Sequence, residues 1–155
     1  EVREGLSTFK GVKRRFEYII NTPERVFIDD YAHHPTEIEA FLKSVKAIYP
    51  SRHVTALFQP HLFTRTRDFA DEFAQALSIA DRVWLLDIYP AREEPIEGVN
   101  SEMLLKKISL FDKRTITKQE VTNQLCNLDS DIIVTIGAGD IDRLIEPIKK
   151  TLSSL

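Results

Sequence analysis

The sequence predicts an α/β domain of the Rossmann-like, three-layer kind: a mainly parallel sheet with helices on both faces and an N-terminal antiparallel hairpin strand. Two observations lead there. Short, nearly unbroken apolar runs (Val54-Thr55-Ala56-Leu57-Phe58, Val83-Trp84-Leu85-Leu86 and Ile132-Ile133-Val134-Thr135-Ile136) alternate with longer amphipathic segments. Strands that lack a polar face belong to sheets covered on both sides, which is what crossover helices produce. In addition, such runs end in polar or glycine turns that open the next helical segment.

Taken in order, Lys10, Lys13, Arg14 and Arg15 form a basic run leading into Phe16-Glu17-Tyr18-Ile19-Ile20, a strand. Asn21-Thr22-Pro23-Glu24 supplies turn residues before Val26-Phe27-Ile28-Asp29, so the two strands form a hairpin. Asp29-Asp30-Tyr31-Ala32-His33-His34-Pro35-Thr36-Glu37 then joins a strand to a helix. Either His34 caps that helix with Pro35 at its first position, or Thr36 caps it and Glu39 closes a capping box. Ile38, Phe41, Leu42, Val45 and Ile48 make one apolar stripe at helical spacing, and Tyr49-Pro50 ends it.

Val54 to Phe58 leads through Gln59-Pro60-His61 to a helix with Phe69, Phe73, Ala76, Leu77 and Ala80 on one face. The Val83 strand breaks at Asp87-Ile88-Tyr89-Pro90 into a loop from Ala91 to Asn100, and a short helix carries Leu104, Leu105 and Ile108. A short strand near Arg114-Thr115-Ile116 precedes a second capping box, Thr117 with Glu120, and a helix through Val121, Leu125 and Leu128. The Ile132 strand runs into Gly137-Ala138-Gly139-Asp140, read as a tight turn with Asp140 as N-cap. The last helix buries Ile141, Leu144, Ile145, Ile148 and Leu152, with a kink expected at Pro147, which lacks a backbone donor.

The chain has 155 residues, 43% hydrophobic and 29% charged. It fits one domain, 1–155, able to bury roughly two thirds of its unfolded surface. A single cysteine, Cys126, excludes an intramolecular disulfide and implies a reducing compartment; it reads as a small helix residue. Twenty-four acids against 21 bases argue against a general nucleic-acid or membrane-surface binder. With no apolar run of about 18 residues and no signal-peptide pattern, the expected location is cytoplasmic. The first residue is Glu1 rather than Met, from which a piece of a longer protein is expected.

In an open α/β sheet, ligands bind beyond the carboxyl ends of the strands. Asp29, Asp30, His33, His34, Gln59, His61, Asp87 and Gly137 all follow strand ends and are expected on one rim. The glycine turn lacks the third glycine of a dinucleotide fingerprint and favours a structural reading. No Gly-x-x-x-x-Gly-Lys-Ser/Thr loop is present, so the chain does not hold a nucleoside triphosphate in that way. Neither a metal-ligand spacing nor a nucleophile elbow is found, and no metal ligand or self-sufficient catalytic residue is assigned. Within Gln59-Pro60-His61-Leu62-Phe63-Thr64-Arg65-Thr66-Arg67-Asp68, helical geometry would bring His61 and Arg65 onto one face, where the Arg65 fork could grip a carboxylate. Alternatively, Arg65 or Arg67 pairs with Asp68 or Asp71.

Taken together, these stretches resemble the C-terminal domain of the Mur ligases, in particular the alanine-adding branch. The residues that carry the resemblance are Gly11 to Glu17, Asp29 to Glu37, Phe58 to Asp68, Asp87-Ile88-Tyr89 and Gly137 to Asp140. The resemblance implies part of an ATP-dependent amide ligase of peptidoglycan precursor synthesis, acting on UDP-N-acetylmuramate and L-alanine. It implies ATP and magnesium in the full-length enzyme, held mainly by a central domain that this chain lacks, as it lacks the N-terminal UDP-sugar domain. It further implies nucleotide contacts from Arg15, Asp30, Tyr31 and His33, amino-acid contacts from His61 and Arg65, and inactivity of the domain alone. Leu62 stands where some relatives carry a second arginine, so a two-arginine clamp is not expected. A related ligase of peptidoglycan recycling, or a stand-alone flavodoxin-like anion-binding module, are the alternatives.

Overall fold

The computed structural model describes residues 12–129 and 131–154; Lys10 and Gly11 of the basic run and its motif lie outside them. Six strands form one sheet: β1 (Glu17–Asn21), β2 (Val26–Asp30), β3 (Val54–Phe58), β4 (Arg82–Leu85), β5 (Lys113–Thr115) and β6 (Ile132–Ile136). Their spatial order is β1-β2-β6-β3-β4-β5. Among the described residues only the β1–β2 pairing is antiparallel, with Glu17 opposite Asp29 and Asn21 opposite Val26. The others are parallel, so β2, β6, β3 and β4 end at one edge of the sheet. This is the predicted architecture, hairpin included.

Side chains alternate between two buried layers because strand residues project to opposite faces. Val26, Ile28, Ala56, Phe58, Val83, Val134 and Ile136 face α1 (Pro35–Ile48), α3 (Ala70–Leu77) and α4 (Ser101–Lys107). Phe27, Leu57, Trp84 and Ile133 face α5 (Lys118–Cys126) and α6 (Ile145–Ser153). Removing an aromatic such as Phe27 or Phe58, each fully buried, would cost about 3–5 kcal/mol.

Several expectations are sharpened. His34, not Thr36, caps α1: Pro35 occupies the first position, and Glu37 rather than Glu39 closes the box. Glu37 Oε2 accepts from the His33 and His34 amides, at 3.0 and 3.1 Å. The helix expected across Phe69 is two, α2 (Phe63–Asp68) and α3. They part at Phe69, whose φ of −116° and ψ of 25° are not helical and whose ring meets His34 at 5.0 Å. The Thr117–Glu120 box forms as expected. Gly139, not Asp140, is the N-cap of the next element, a 3-10 turn over Asp140–Leu144. Pro147 does not kink a helix: it is the third residue of α6, where no intrahelical acceptor awaits its missing N–H. Cys126 closes α5, exposed and unpaired in any disulfide. Among the described residues no helix is long and apolar enough to cross a membrane.

Candidate functional site

The site grows from the ends of β2, β6 and β3, which stay hydrogen-bonded past their last residues: Gly137 N–H donates to Asp30 O at 3.1 Å and Gln59 N–H to Ile136 O at 3.0 Å. Asp29, expected on the rim, is instead fully buried within β2. It faces the layer opposite to α1, accepting from the Thr135 hydroxyl at 2.6 Å and from Arg14 Nε at 2.9 Å. The period of two along the strand separates it from Asp30. Arg14 also donates to Gly137 O at 2.7 Å, and its guanidinium lies 5.2 Å from the Tyr31 ring centre. Arg14 and Phe16 adopt left-handed backbone conformations, φ 57° and 45°, at the entry to β1.

Asp30 binds the incoming chain to the turn: Oδ2 accepts from the Phe16 amide at 2.7 Å and Oδ1 from the Ala32 amide at 2.8 Å. Burial pushes its carboxyl above the usual carboxylate range, against the two amides and Arg15, which pull it down. Arg15, Asp30, Tyr31, His33 and Glu37 line a cleft of about 260 Å³. All four residues assigned to the nucleotide therefore share one concavity, with the Arg15 side chain exposed.

His61 and Arg65 are also brought together, although His61 precedes α2 rather than belonging to it. Arg65 Nη1 lies 3.4 Å from His61 Nδ1. An arginine has no acceptor, so Nδ1 must accept and the neutral ring carries its proton on Nε2. Burial, then the Arg65 charge and His33, lower the His61 pKa. The ring is thus neutral at pH 7 and offers an N–H. Because the folded-state pKa lies below the ordinary 6.5, this neutral ring supports the fold fully above the unfolded value, and that support is lost as pH falls through the window beneath it. An NMR titration of His61 is expected to have its midpoint below 6.5, rising toward it in Arg65→Ala; a midpoint at or above 6.5 in the parent would remove the assignment. Arg67 pairs with Asp68 at 2.7 Å.

The two groups adjoin through a row of rings. Tyr31 meets His33 at 5.4 Å, His33 meets His61 at 6.2 Å, and His61 stacks on Tyr89 at 5.6 Å. Tyr89 and Arg14 carry no binding role in the sequence reading, and Gln59 is placed there on the rim without one. For Tyr89 the available signal was the break of an apolar strand at Asp87-Ile88-Tyr89-Pro90.

The glycine turn is a packing device. Gln59, buried, donates to Asp140 Oδ1 at 2.8 Å and accepts from the Ile141 amide at 2.9 Å. A Cβ on Gly137 would lie 2.9 Å from Gln59 O, and φ is 147° there. Lys118 pairs with Asp140 beneath it. Asp87 is exposed and lines, with Lys118, a neighbouring cleft that Tyr89 also borders, and His34 turns toward Phe69, so neither is itself a member of the ring row. Among the described residues no group of three or more His, Cys, Asp or Glu side chains is placed to hold a metal ion.

A six-stranded, mainly parallel sheet whose rim joins an Arg–Asp–Tyr–His cleft to a His–Arg pair matches the family model described as Mur ligase, glutamate ligase domain, over residues 14–139. The chain belongs to that family. UDP-N-acetylmuramate--L-alanine ligases are among its relatives: that of Flavobacterium psychrophilum is 54% identical over 97% of this chain and 34% of its own length, and that of Cytophaga hutchinsonii 52% over 96% and 32%. The chain therefore spans about a third of the length of these relatives. The crystal structure of UDP-N-acetylmuramate-alanine ligase MurC from Thermotoga maritima superimposes with a TM-score of 0.76 at 27% identity, covering 97% of this chain and 32% of that one. A murein peptide ligase from Psychrobacter arcticus shares the fold, with a TM-score of 0.74 at 24% identity over 98% of this chain and 32% of that one.

Proposed function

We propose that this chain is the nucleotide-facing and amino-acid-facing domain of an ATP-dependent ligase joining L-alanine to UDP-N-acetylmuramate in the cytoplasm, for peptidoglycan precursor synthesis. The observation that carries the reading is the ring row linking the Arg15–Asp30 cleft to the His61–Arg65 pair. One reaction that needs both a nucleotide and an amino acid needs these two binding surfaces side by side, because holding reactants in register removes much of their entropic barrier.

In this reading Arg15 meets nucleotide phosphate, while Asp30, whose oxygens already fix the turn, offers its remaining lone pairs to a sugar hydroxyl. Tyr31 and His33 supply the walls. Arg65 grips the L-alanine carboxylate and His61 adds its Nε2 proton. ATP and magnesium are held mainly by the central domain of the full-length protein, and the chain's contribution is orientation and charge stabilisation on closure. The identities of 52% and 54% to alanine-adding relatives favour that substrate over a peptide-adding one.

The test is phosphate release by the full-length protein, expected only with ATP, L-alanine and UDP-N-acetylmuramate together; release independent of L-alanine would sink the substrate assignment. The isolated 155-residue chain is expected to release none, and turnover by it alone would show that the domain is self-sufficient.

A further inference from the structure

We propose that Glu93 is a positioning residue for the amino-acid half of this site: its carboxylate, carried on the β4–α4 loop, caps the N-terminus of α2 and thereby fixes His61 and Arg65. The identity of the bound amino acid rests on the function proposed above; the capping rests on geometry alone.

Helix α2 begins without a cap of its own. Its N-cap residue is Leu62, with φ 73° and ψ 134° and no side-chain hydrogen bond. A leucine has no acceptor to offer the first amides of the helix, which have no intrahelical partner. Glu93 supplies what is missing from 29 residues away, accepting the Thr64 amide on Oε2 at 3.0 Å and the Thr64 hydroxyl on Oε1 at 2.5 Å. These bonds hold the Glu93 carboxyl below its usual range.

The same loop clamps the segment from its other side. Leu62 N–H donates to Tyr89 O at 2.9 Å, Tyr89 N–H to Pro60 O at 2.8 Å, and the Tyr89 ring stacks on His61. The loop then reverses through Ala91 at φ 53°, and Glu93 N–H closes the turn on Pro90 O at 2.9 Å. Left-handed, non-glycine residues therefore flank the Glu93–Thr64 contact on both of its strands of chain. Each is a strained conformation that persists only where surrounding contacts over-determine it.

Charge makes the arrangement selective. A carboxylate bonded to Thr64, the residue next to Arg65, would compete for that guanidinium if it were turned toward it. Both Glu93 oxygens are turned to Thr64, whereas Arg65 has the His61 ring as its polar contact. The cap thus holds the helix while leaving the guanidinium to an incoming carboxylate.

The test uses the full-length protein. Glu93→Ala is expected to raise KM for L-alanine about tenfold, the equivalent of one helix cap, with KM for ATP changed less than about twofold. Glu93→Gln keeps an acceptor for the Thr64 amide and should recover most of the loss. Hydrogen exchange of peptides covering 62–69 should speed up about fivefold or more in Glu93→Ala, while α1 stays as in the parent. Unchanged exchange at 62–69 overturns the capping. Faster exchange with an unchanged KM for L-alanine overturns the positioning, leaving a structural contact only. A parent with no L-alanine dependence sinks the substrate assignment instead, and the exchange comparison still decides whether Glu93 holds α2.

Discussion

Replacing Arg65 by alanine in the full-length protein is expected to lower kcat/KM for L-alanine about a hundredfold, since a charge-assisted, fork-shaped contact with a carboxylate is worth about 2–3 kcal/mol. The loss falls undivided on Arg65. Leu62 carries no charge to share the carboxylate, and Arg67 is engaged by Asp68 at 2.7 Å. His61 remains, but as a neutral donor. Arg65→Lys should restore only part of the activity, because an ammonium supplies the charge without the planar pair of donors. Steady-state kinetics with L-alanine varied at saturating ATP decide the matter: the effect should lie mainly in KM for L-alanine. An unchanged dependence on L-alanine would remove Arg65 from the site.

Gly139→Ala is expected to destabilise the fold by about 3 kcal/mol, at the upper end for overpacking a filled interior, and to weaken amino-acid use with it. The backbone at Gly139 is ordinary, φ −83°, so the cause is space rather than conformation. A Cβ there would stand 2.5 Å from Gln59 Oε1 and 2.7 Å from Tyr89 Cβ. Gln59 would lose its place between Asp140 and the Ile141 amide, and Tyr89 would be driven from the His61 ring it stacks on. Thermal or denaturant unfolding measures the first effect. A variant as stable as the parent would mean that the turn is not packed as described, and would reopen its reading as an anion loop.

Much of this was legible in the residues. The β3 and β6 runs were bounded correctly because each is apolar but for one threonine and each meets a polar or glycine turn. Thr117 with Glu120 as a capping box, and the region of the first helix start, left open between His34 and Thr36, were legible because capping is local chemistry: partners sit within three residues of one another. The break at Phe69 was not, since its apolar stripe continues unbroken through a residue that leaves the helix to meet His34. Asp29 and Asp30 are neighbours of the same type, and which of them turns inward depends on the sheet's two faces.

The sequence by itself determined the elements, their alternation, the edge of the sheet where a site belongs, and the family resemblance, all properties of short-range pattern. Only the tertiary structure decided that Asp29 is a buried partner of Arg14 and Thr135, that His33 and His61 come within 6.2 Å, and that Glu93 caps a helix 29 residues earlier. The Asp29–Thr135 contact follows from the strand order, which inserts the last strand, β6, between β2 and β3. No spacing along the chain records that insertion, because it is fixed by how two apolar layers close over one sheet.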